Sequence, residues 1–182
     1  MKGHVSLQLD VQKRVRTWTP RRADLAVWAT EALGRRAANA EVSVRLVGRA
    51  ESRKLNSHYR GKDYATNVLS FPAAPVRKPS IAGRLRRGSA ASPLSRPAIE
   101  GFFAAPLGDL VICPPVLRTE ALEQKKTLRA HWAHLVVHGS LHLIGYDHER
   151  NSDARRMERR EIAVLRRLGF TNPYRTSAPE GA

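Results

Sequence analysis

Several features that would restrict this chain to particular classes of protein are scarce or missing. Cys113 is the only cysteine among the 182 residues, so no disulfide can form within the chain and a reducing, cytoplasmic environment is expected. No run of about 18 apolar residues, the length that a membrane helix needs, occurs. The start from Met1 to Ser6 lacks the apolar stretch of a secretion signal. A membrane-spanning or secreted protein is therefore not expected.

Acidic residues are also scarce. Sixteen Asp and Glu stand against 32 Lys and Arg, which gives a formal net charge of +16. Solubility requires far less charge than this, so the excess favours a polyanionic partner such as a nucleic acid. The alternative is a generally basic composition, or a basic tail, that serves no partner.

Part of this positive charge lies in a segment at about 73–105. Between Arg77 and Ile99 every charged residue is basic, and prolines and serines are frequent. Like charge with low hydrophobicity cannot offset the entropy of ordering, so the pattern predicts a disordered or loosely held insertion and not a second domain. It is either a basic arm that docks on RNA phosphates or a solvated insertion. The domain is expected to span 1–175, followed by a disordered tail at 176–182.

The remainder of the chain predicts four strands and five helices in one domain. Alternating apolar and polar residues, proline breaks and capping residues set the expected bounds. The strands are expected at 5–11, 42–48, 68–72 and 107–113, and the helices from Thr19–Pro20 to Gly34, at 50–59, at 115–125, at 127–144, and from a Ser152 N-cap to Leu168.

The strongest chemical signal is a set of three histidines, His138, His142 and His148. Residues i and i+4 share one face of a helix, and Gly145 lets the chain turn back so that the third histidine reaches the same point. Three neutral imidazoles bind a metal and leave a fourth position for water, as catalytic sites require. The spacing matches that of metzincin zinc proteases, but Gly139 stands where those enzymes carry their glutamate base. The pattern therefore predicts a metal site without the peptidase base.

Two further histidines, His131 and His134, precede this set on the same helix. His134 and His142 would lie about 12 Å apart along an unbroken helix, whereas a Zn–N bond is about 2 Å long. One ion cannot bind both, so His148 is the better third ligand. His131 and His134 are expected to support the site, to pack in the core or to be solvated.

Four blocks of sequence, present together and in order, resemble the YbeY family of bacterial rRNA-maturation endoribonucleases. The resemblance covers about Val42 to Tyr174, and the basic insertion is longer than the family's usual connection. It implies a single-domain α+β fold: a roughly four-stranded mixed sheet packed with about five helices, one of them a zincin-like metal-binding helix. It also implies one zinc ion per chain on the three histidines. The blocks are Tyr59–Asp63, Thr66–Pro72, Leu107–Asp109 and His138–His148.

The resemblance further implies cleavage of single-stranded RNA, processing of the 3′ end of the small-subunit rRNA, and a part in ribosome maturation and quality control. The implied partners are rRNA, the small ribosomal subunit or the whole ribosome, and ribosome-associated proteins. A functionally important arginine of the family maps onto Arg60, which would bind the phosphate that is cleaved. The nucleophile would be a metal-activated water or the neighbouring 2′-OH.

Three other residues have open roles. Asp109 would orient water or a ligand, or it is a turn or edge carboxylate. Asp147 would fix a histidine tautomer or cap the turn. Tyr146 would stack on a base or pack in the core.

Two rival functions remain: a non-catalytic, zinc-containing ribosome-assembly factor, and a metallopeptidase, which Gly139 disfavours.

Overall fold

A computed structural model describes residues 7–73 and 104–175, and its strands form one mixed sheet in the order β1-β2-β4-β3. The predicted start of the first strand, nearly all of the basic insertion and the predicted tail lie outside the described residues. The strands are β1 (Gln8–Lys13), β2 (Ala40–Leu46), β3 (Val68–Pro72) and β4 (Ala105–Ile112). The helices are α1 (Arg22–Leu33), α2 (Arg49–Arg60), α3 (Pro114–Glu123), α4 (Leu128–Leu143) and α5 (Asn151–Arg167), with a short 3-10 turn at Gly34–Ala37.

The pairing of the strands makes the sheet mixed. β1 is parallel to β2 and β2 is parallel to β4, whereas the edge strand β3 is antiparallel to β4. The predicted α+β fold, with a four-stranded mixed sheet and five helices, is confirmed in the described residues. β2 and β4 both begin two residues before their predicted starts, because Ala40 pairs with Ala105 at the beginning of the ladder.

Two predicted helix starts are wrong. The first helix does not begin at Pro20: Arg21 has an extended backbone (φ −65°, ψ 151°) and Arg22 is the first helical residue. The Arg22 guanidinium donates to the carbonyl of Leu9 at 2.9 Å, which ties the start of α1 to β1. Ser152 is not the N-cap of α5 either, because Arg150 is extended and its carbonyl already accepts from the Ala154 N–H at 2.9 Å.

Helix α4 is the central helix of the fold. It packs on the face of the sheet that carries Val44, Leu110 and Ile112, and it contacts α1, α3 and α5 on its other sides. Trp132 and Val136 on α4 have no exposed surface. Helix α2 contributes Leu55 to a smaller apolar cluster that includes the side chains on the opposite face of the sheet. Because α4 is fixed on several sides, histidines along it have well-defined positions.

Gly139 sets the distance between α4 and the sheet. A Cβ at this position would lie 2.9 Å from Cδ2 of Leu110 and 3.2 Å from Oγ of Ser70. A side chain at the site where metzincins carry a glutamate would therefore have to displace the side chains of Leu110 and Ser70. This close approach, and not only chemistry, explains the glycine.

Replacing Gly139 by alanine is expected to destabilise the fold by about 1–3 kcal/mol, since the added methyl overpacks a closed interface. The midpoint of urea denaturation measures this change. The matched control is Ser140→Ala on the same helix. The Ser140 hydroxyl is buried and has no hydrogen-bond partner among the described residues, so its removal should be neutral or stabilising. Equal midpoints for Gly139→Ala and wild type would contradict this account of the packing.

Candidate metal centre

The three histidines of the motif converge at the C-terminal end of α4. His138 and His142 lie one turn apart, and the helix ends where Gly145 takes φ 92°, a left-handed conformation. The Gly145 N–H donates to the carbonyl of His142 at 3.0 Å, which closes the turn. The turn brings the ring of His148 to centroid distances of 5.5 Å from His138 and 5.0 Å from His142.

The donor atoms of this set fit a single ion. One ring nitrogen from each of His138, His142 and His148 lies within 4.8 Å of the others. The Nε2 atoms of His138 and His142 are 3.1 Å apart. Two nitrogens bound tetrahedrally to zinc lie about 3.3 Å apart, given Zn–N bonds of about 2.0–2.1 Å. No fourth His, Cys, Asp or Glu in 7–73 or 104–175 joins the group, so these residues offer three ligand atoms, one fewer than a closed tetrahedral site takes.

His142 is held in the neutral form that a metal ligand needs. Burial disfavours its charged form, and positive charge on His138 and His148 adds to the effect, so its pKa falls to about 4. At neutral pH its nitrogen lone pair is therefore free to bind a cation.

A buried carboxylate supports the set from α5. Glu161 has no exposed surface, and its Oε1 lies 2.7 Å from Nδ1 of His138. Its Oε2 faces Nε2 of His134 at 3.3 Å and accepts a hydrogen bond from the Tyr174 hydroxyl. Burial raises the pKa of Glu161, but hydrogen bonds from His134 and His138 outweigh it and hold the pKa at about 2.

The ionised Glu161 fixes the tautomer of His138. A carboxylate only accepts hydrogen bonds, so the proton of His138 must lie on Nδ1. The lone pair of Nε2 is then directed toward His142 and His148. This is the arrangement found in carboxylate–histidine–metal sites.

His134 and His131 lie on α4 as well, nearer to its N-terminus, and each contacts a carboxylate. His134, His138 and Glu161 form a second close group of possible ligand atoms, but the 2.7 Å contact within it is the length of a hydrogen bond. Nε2 of His131 lies 2.9 Å from Glu120 on α3, which also accepts from Asn67. The structure therefore places His134 beside Glu161, and it places His131 in the core with Glu120.

The structure does not bring Asp109 to the histidines. Its neighbour Leu110 faces α4, so Asp109 points to the opposite side of the sheet. There it lines an open cavity of about 370 Å³ with Arg45 and Tyr59.

Arg60 is the last residue of α2 and is exposed. It forms no ion pair with another described residue, which leaves its guanidinium available to a ligand.

Comparison with known proteins gives the family. The family model described as "Endoribonuclease YbeY" matches residues 9–169, which is most of the chain. The chain belongs to the YbeY endoribonuclease family. The predicted family is confirmed, and with it the prediction of an enzyme.

Two curated relatives carry the same description, "Endoribonuclease YbeY". The protein of Pseudomonas putida (strain W619) is 47% identical over 169 residues, 92% of this chain and 93% of the relative. That of Stutzerimonas stutzeri (strain A1501) is 44% identical over 175 residues, 96% of this chain and 95% of the relative. A protein of Thermotoga maritima with a solution structure is 22% identical, with a TM-score of 0.48 over 96% of this chain and 100% of that one.

Two further observations complete the description of this YbeY-family chain. None of its helices in the described ranges is long and apolar enough to cross a bilayer. Asp147 accepts a hydrogen bond from the backbone N–H of His148 at 2.8 Å, a contact that belongs to the turn.

Glu161 was missed in the sequence analysis, although a signal for it exists. Met157, Val164 and Leu165 form the buried face of α5, and Glu161 falls on that same face. An acidic residue on the apolar face of a helix is almost never buried without a partner. The pattern alone therefore predicts a buried polar contact, but not its partner.

Proposed function

We propose that this chain is a zinc-dependent endoribonuclease that cleaves single-stranded RNA. Its substrate is the 3′ end of the small-subunit rRNA, and it acts in ribosome maturation and quality control with the ribosome as its partner. Support comes from the family, whose curated relatives are named endoribonucleases, and from the net charge of +16. The observation that carries the proposal is the convergence of His138, His142 and His148 on one point.

His138, His142 and His148 would hold the ion, and the three-nitrogen donor set suits zinc. When bound, zinc supplies Lewis acidity, which lowers the pKa of water from about 15.7 to about 7 and stabilises negative charge on phosphate oxygens. Glu161 keeps the proton of His138 on Nδ1, so that Nε2 is available as a ligand atom. With only these three protein ligands, a tetrahedral ion would keep its fourth position for water or substrate.

Arg60 is proposed to bind the phosphate that is cleaved. A guanidinium donates two parallel hydrogen bonds to phosphate oxygens, where negative charge grows during the reaction. Gly61 takes φ 66° and ends α2 directly after Arg60, so the side chain leaves the helix at its exposed end. Its lack of an ion pair with described residues is consistent with this role.

The three-residue ligand set argues against the rival function of a non-catalytic assembly factor. Structural zinc sites are almost always closed by four protein ligands. In the described residues only three ligands converge here. A metallopeptidase is disfavoured because Gly139 stands where the glutamate base would be, and a side chain there would displace Leu110 and Ser70.

The function is tested by incubating the purified, metal-loaded chain with a single-stranded RNA that spans the 3′ end of the small-subunit rRNA. Duplex RNA and single-stranded DNA of the same sequence serve as counter-substrates. The proposal expects cleavage of the single-stranded RNA alone, abolished by the ligand variants considered in the Discussion. Digestion of unfolded protein, or cleavage that survives in those variants, would overturn it.

Replacing Arg60 by alanine is expected to slow single-turnover cleavage by about 10²-fold or more, because a donor to the developing charge is lost. Arg60→Lys should recover only part of the rate, since it keeps the charge but loses the bidentate fork. The control is Lys54→Ala, which removes one exposed positive charge from the same helix. Equal losses in Arg60→Ala and Lys54→Ala would mean that only net charge matters.

A further inference from the structure

Beside the metal centre, arginines from two elements surround a cavity of about 300 Å³. Arg35 and Arg36 belong to the 3-10 turn after α1, and Arg156 belongs to α5. The remaining wall includes Gly145 and Tyr146, from the turn that carries His148. One more arginine of α5, Arg160, reaches the 3-10 turn at Gly34. Its terminal nitrogen would lie 3.6 Å from a Cβ placed on Gly34.

Within the described residues no acidic side chain forms an ion pair with this group, which we call the arginine cluster (Arg35, Arg36, Arg156 and Arg160). Asp153 and Glu158 lie on the same helix as two of its members, yet none of the four arginines forms an ion pair within 7–73 or 104–175. The Nε atoms of Arg156 and Arg160 are buried and have no hydrogen-bond partner in those ranges. Both side chains are only half-buried, so each buried Nε–H is a donor that an anionic ligand from outside the described fold could satisfy.

The position of Arg156 is fixed by an aromatic neighbour. Its guanidinium lies 5.2 Å from the centroid of the Tyr146 ring, within the range of a cation–π contact. The backbone N–H of Tyr146 donates to the carbonyl of Leu141 at 3.1 Å, which anchors the ring to the end of α4. Arg156 therefore lies against the turn that positions His148, two residues after Tyr146.

We propose that the arginine cluster binds a backbone phosphate of the RNA strand whose neighbouring linkage lies at the metal centre. The proposal rests on the proposed function, because RNA is the anion that brings phosphates to both places. Guanidinium groups bind phosphate through paired hydrogen bonds, which suits several arginines around one open cavity. His148 lies at most about 7 Å along the chain from Tyr146, so one strand can contact both sites.

The test measures binding of a single-stranded RNA by fluorescence anisotropy with metal-free protein, so that no cleavage is required. Arg35→Gln, Arg36→Gln and the double variant are compared with wild type. The double variant is expected to bind on the order of tenfold more weakly. The slope of log affinity against log salt should become shallower by about 0.7 for each lost phosphate contact. The matched control is Arg118→Gln, an exposed arginine on α3 that has no ion pair with described residues.

A second experiment distinguishes binding of RNA from binding of free phosphate. The Nε–H signals of Arg156 and Arg160 are followed by NMR during titration with the RNA or with inorganic phosphate. Shifts at lower concentrations of RNA than of phosphate support the proposal. Shifts with phosphate alone, or unchanged RNA affinity and salt slope in the double variant, overturn it.

The outcomes also separate this proposal from the proposed function. If the protein cuts no RNA but its RNA binding depends on the arginine cluster, the proposed function is wrong and the proposed phosphate site is supported. If wild type cleaves RNA and the double variant binds RNA as tightly as wild type, the function is supported and the phosphate site is wrong. Absence of RNA binding by wild type would sink both.

Discussion

Replacing His148 or His138 by alanine is expected to remove the bound metal and to lower RNA cleavage by on the order of 10³-fold or more. The proposed site offers the ion only three side chains, so the loss of one would leave two, too few for stable binding. The Lewis acidity of a bound metal is worth several kcal/mol of transition-state stabilisation, and each 1.36 kcal/mol is a factor of ten in rate. Metal content by elemental analysis and single-turnover cleavage on the same preparations measure the two effects.

His148→Ala is the cleaner of the two substitutions. His148 is exposed, whereas His138 donates to the buried Glu161, so His138→Ala also removes a partner from a buried charge. In metal-free protein, where the ion contributes nothing to stability, the unfolding midpoint should therefore change little in His148→Ala and fall in His138→Ala. His58→Ala is the control, because His58 is an exposed histidine of α2 that belongs to neither group of possible ligand atoms.

The same variants separate the enzyme from a non-catalytic assembly factor. An enzyme variant without metal should still bind RNA through its basic surface while cleavage is lost. Full cleavage by His148→Ala would show that the activity belongs to a contaminant or to another site. Loss of RNA binding together with the metal, in a protein that never cleaved RNA, would favour the assembly factor.

The convergence of the three histidines could be predicted from the sequence because their geometry is local. His138 and His142 share a helix face by their spacing alone, and Gly145 supplies the one conformation that ends the helix and returns His148. Each relation spans a few residues and depends on backbone geometry, which the sequence determines directly. The same holds for the edge strand Val68–Pro72, whose predicted bounds match the structure.

The surroundings of the site could not be predicted, because they depend on how distant elements pack. Leu110, Val111 and Ile112 are all buried, since helices cover both faces of the sheet, so β4 shows no alternation there. The sequence therefore could not tell which face Asp109 would take. Likewise, Glu161 lies 23 residues after His138 in the chain and reaches it only because α5 packs against α4.

Replacing Glu161 by glutamine is expected to weaken metal binding by about 10–100-fold, the usual cost of losing the hydrogen-bond partner of a ligating histidine. Glutamine keeps the size of the side chain but presents a neutral oxygen and two N–H donors. It can no longer accept from His134, His138 and Tyr174 together, so the proton of His138 is not held on Nδ1. Affinity is measured by competition with a chelator, and the tautomer by nitrogen NMR of His138.

These two readouts distinguish positioning from simple stability. Glu158→Gln, an exposed neighbour on α5, should leave both unchanged. Tyr174→Phe removes one hydrogen bond to Glu161 and keeps the carboxylate, so it should lower metal affinity less than Glu161→Gln and should remain folded if the latter does not. If Glu161→Gln binds the metal as tightly as wild type and His138 keeps its proton on Nδ1, the carboxylate only fills a buried space. A loss of affinity with an unchanged unfolding midpoint would instead mean that Glu161 acts on the metal through the ring of His138.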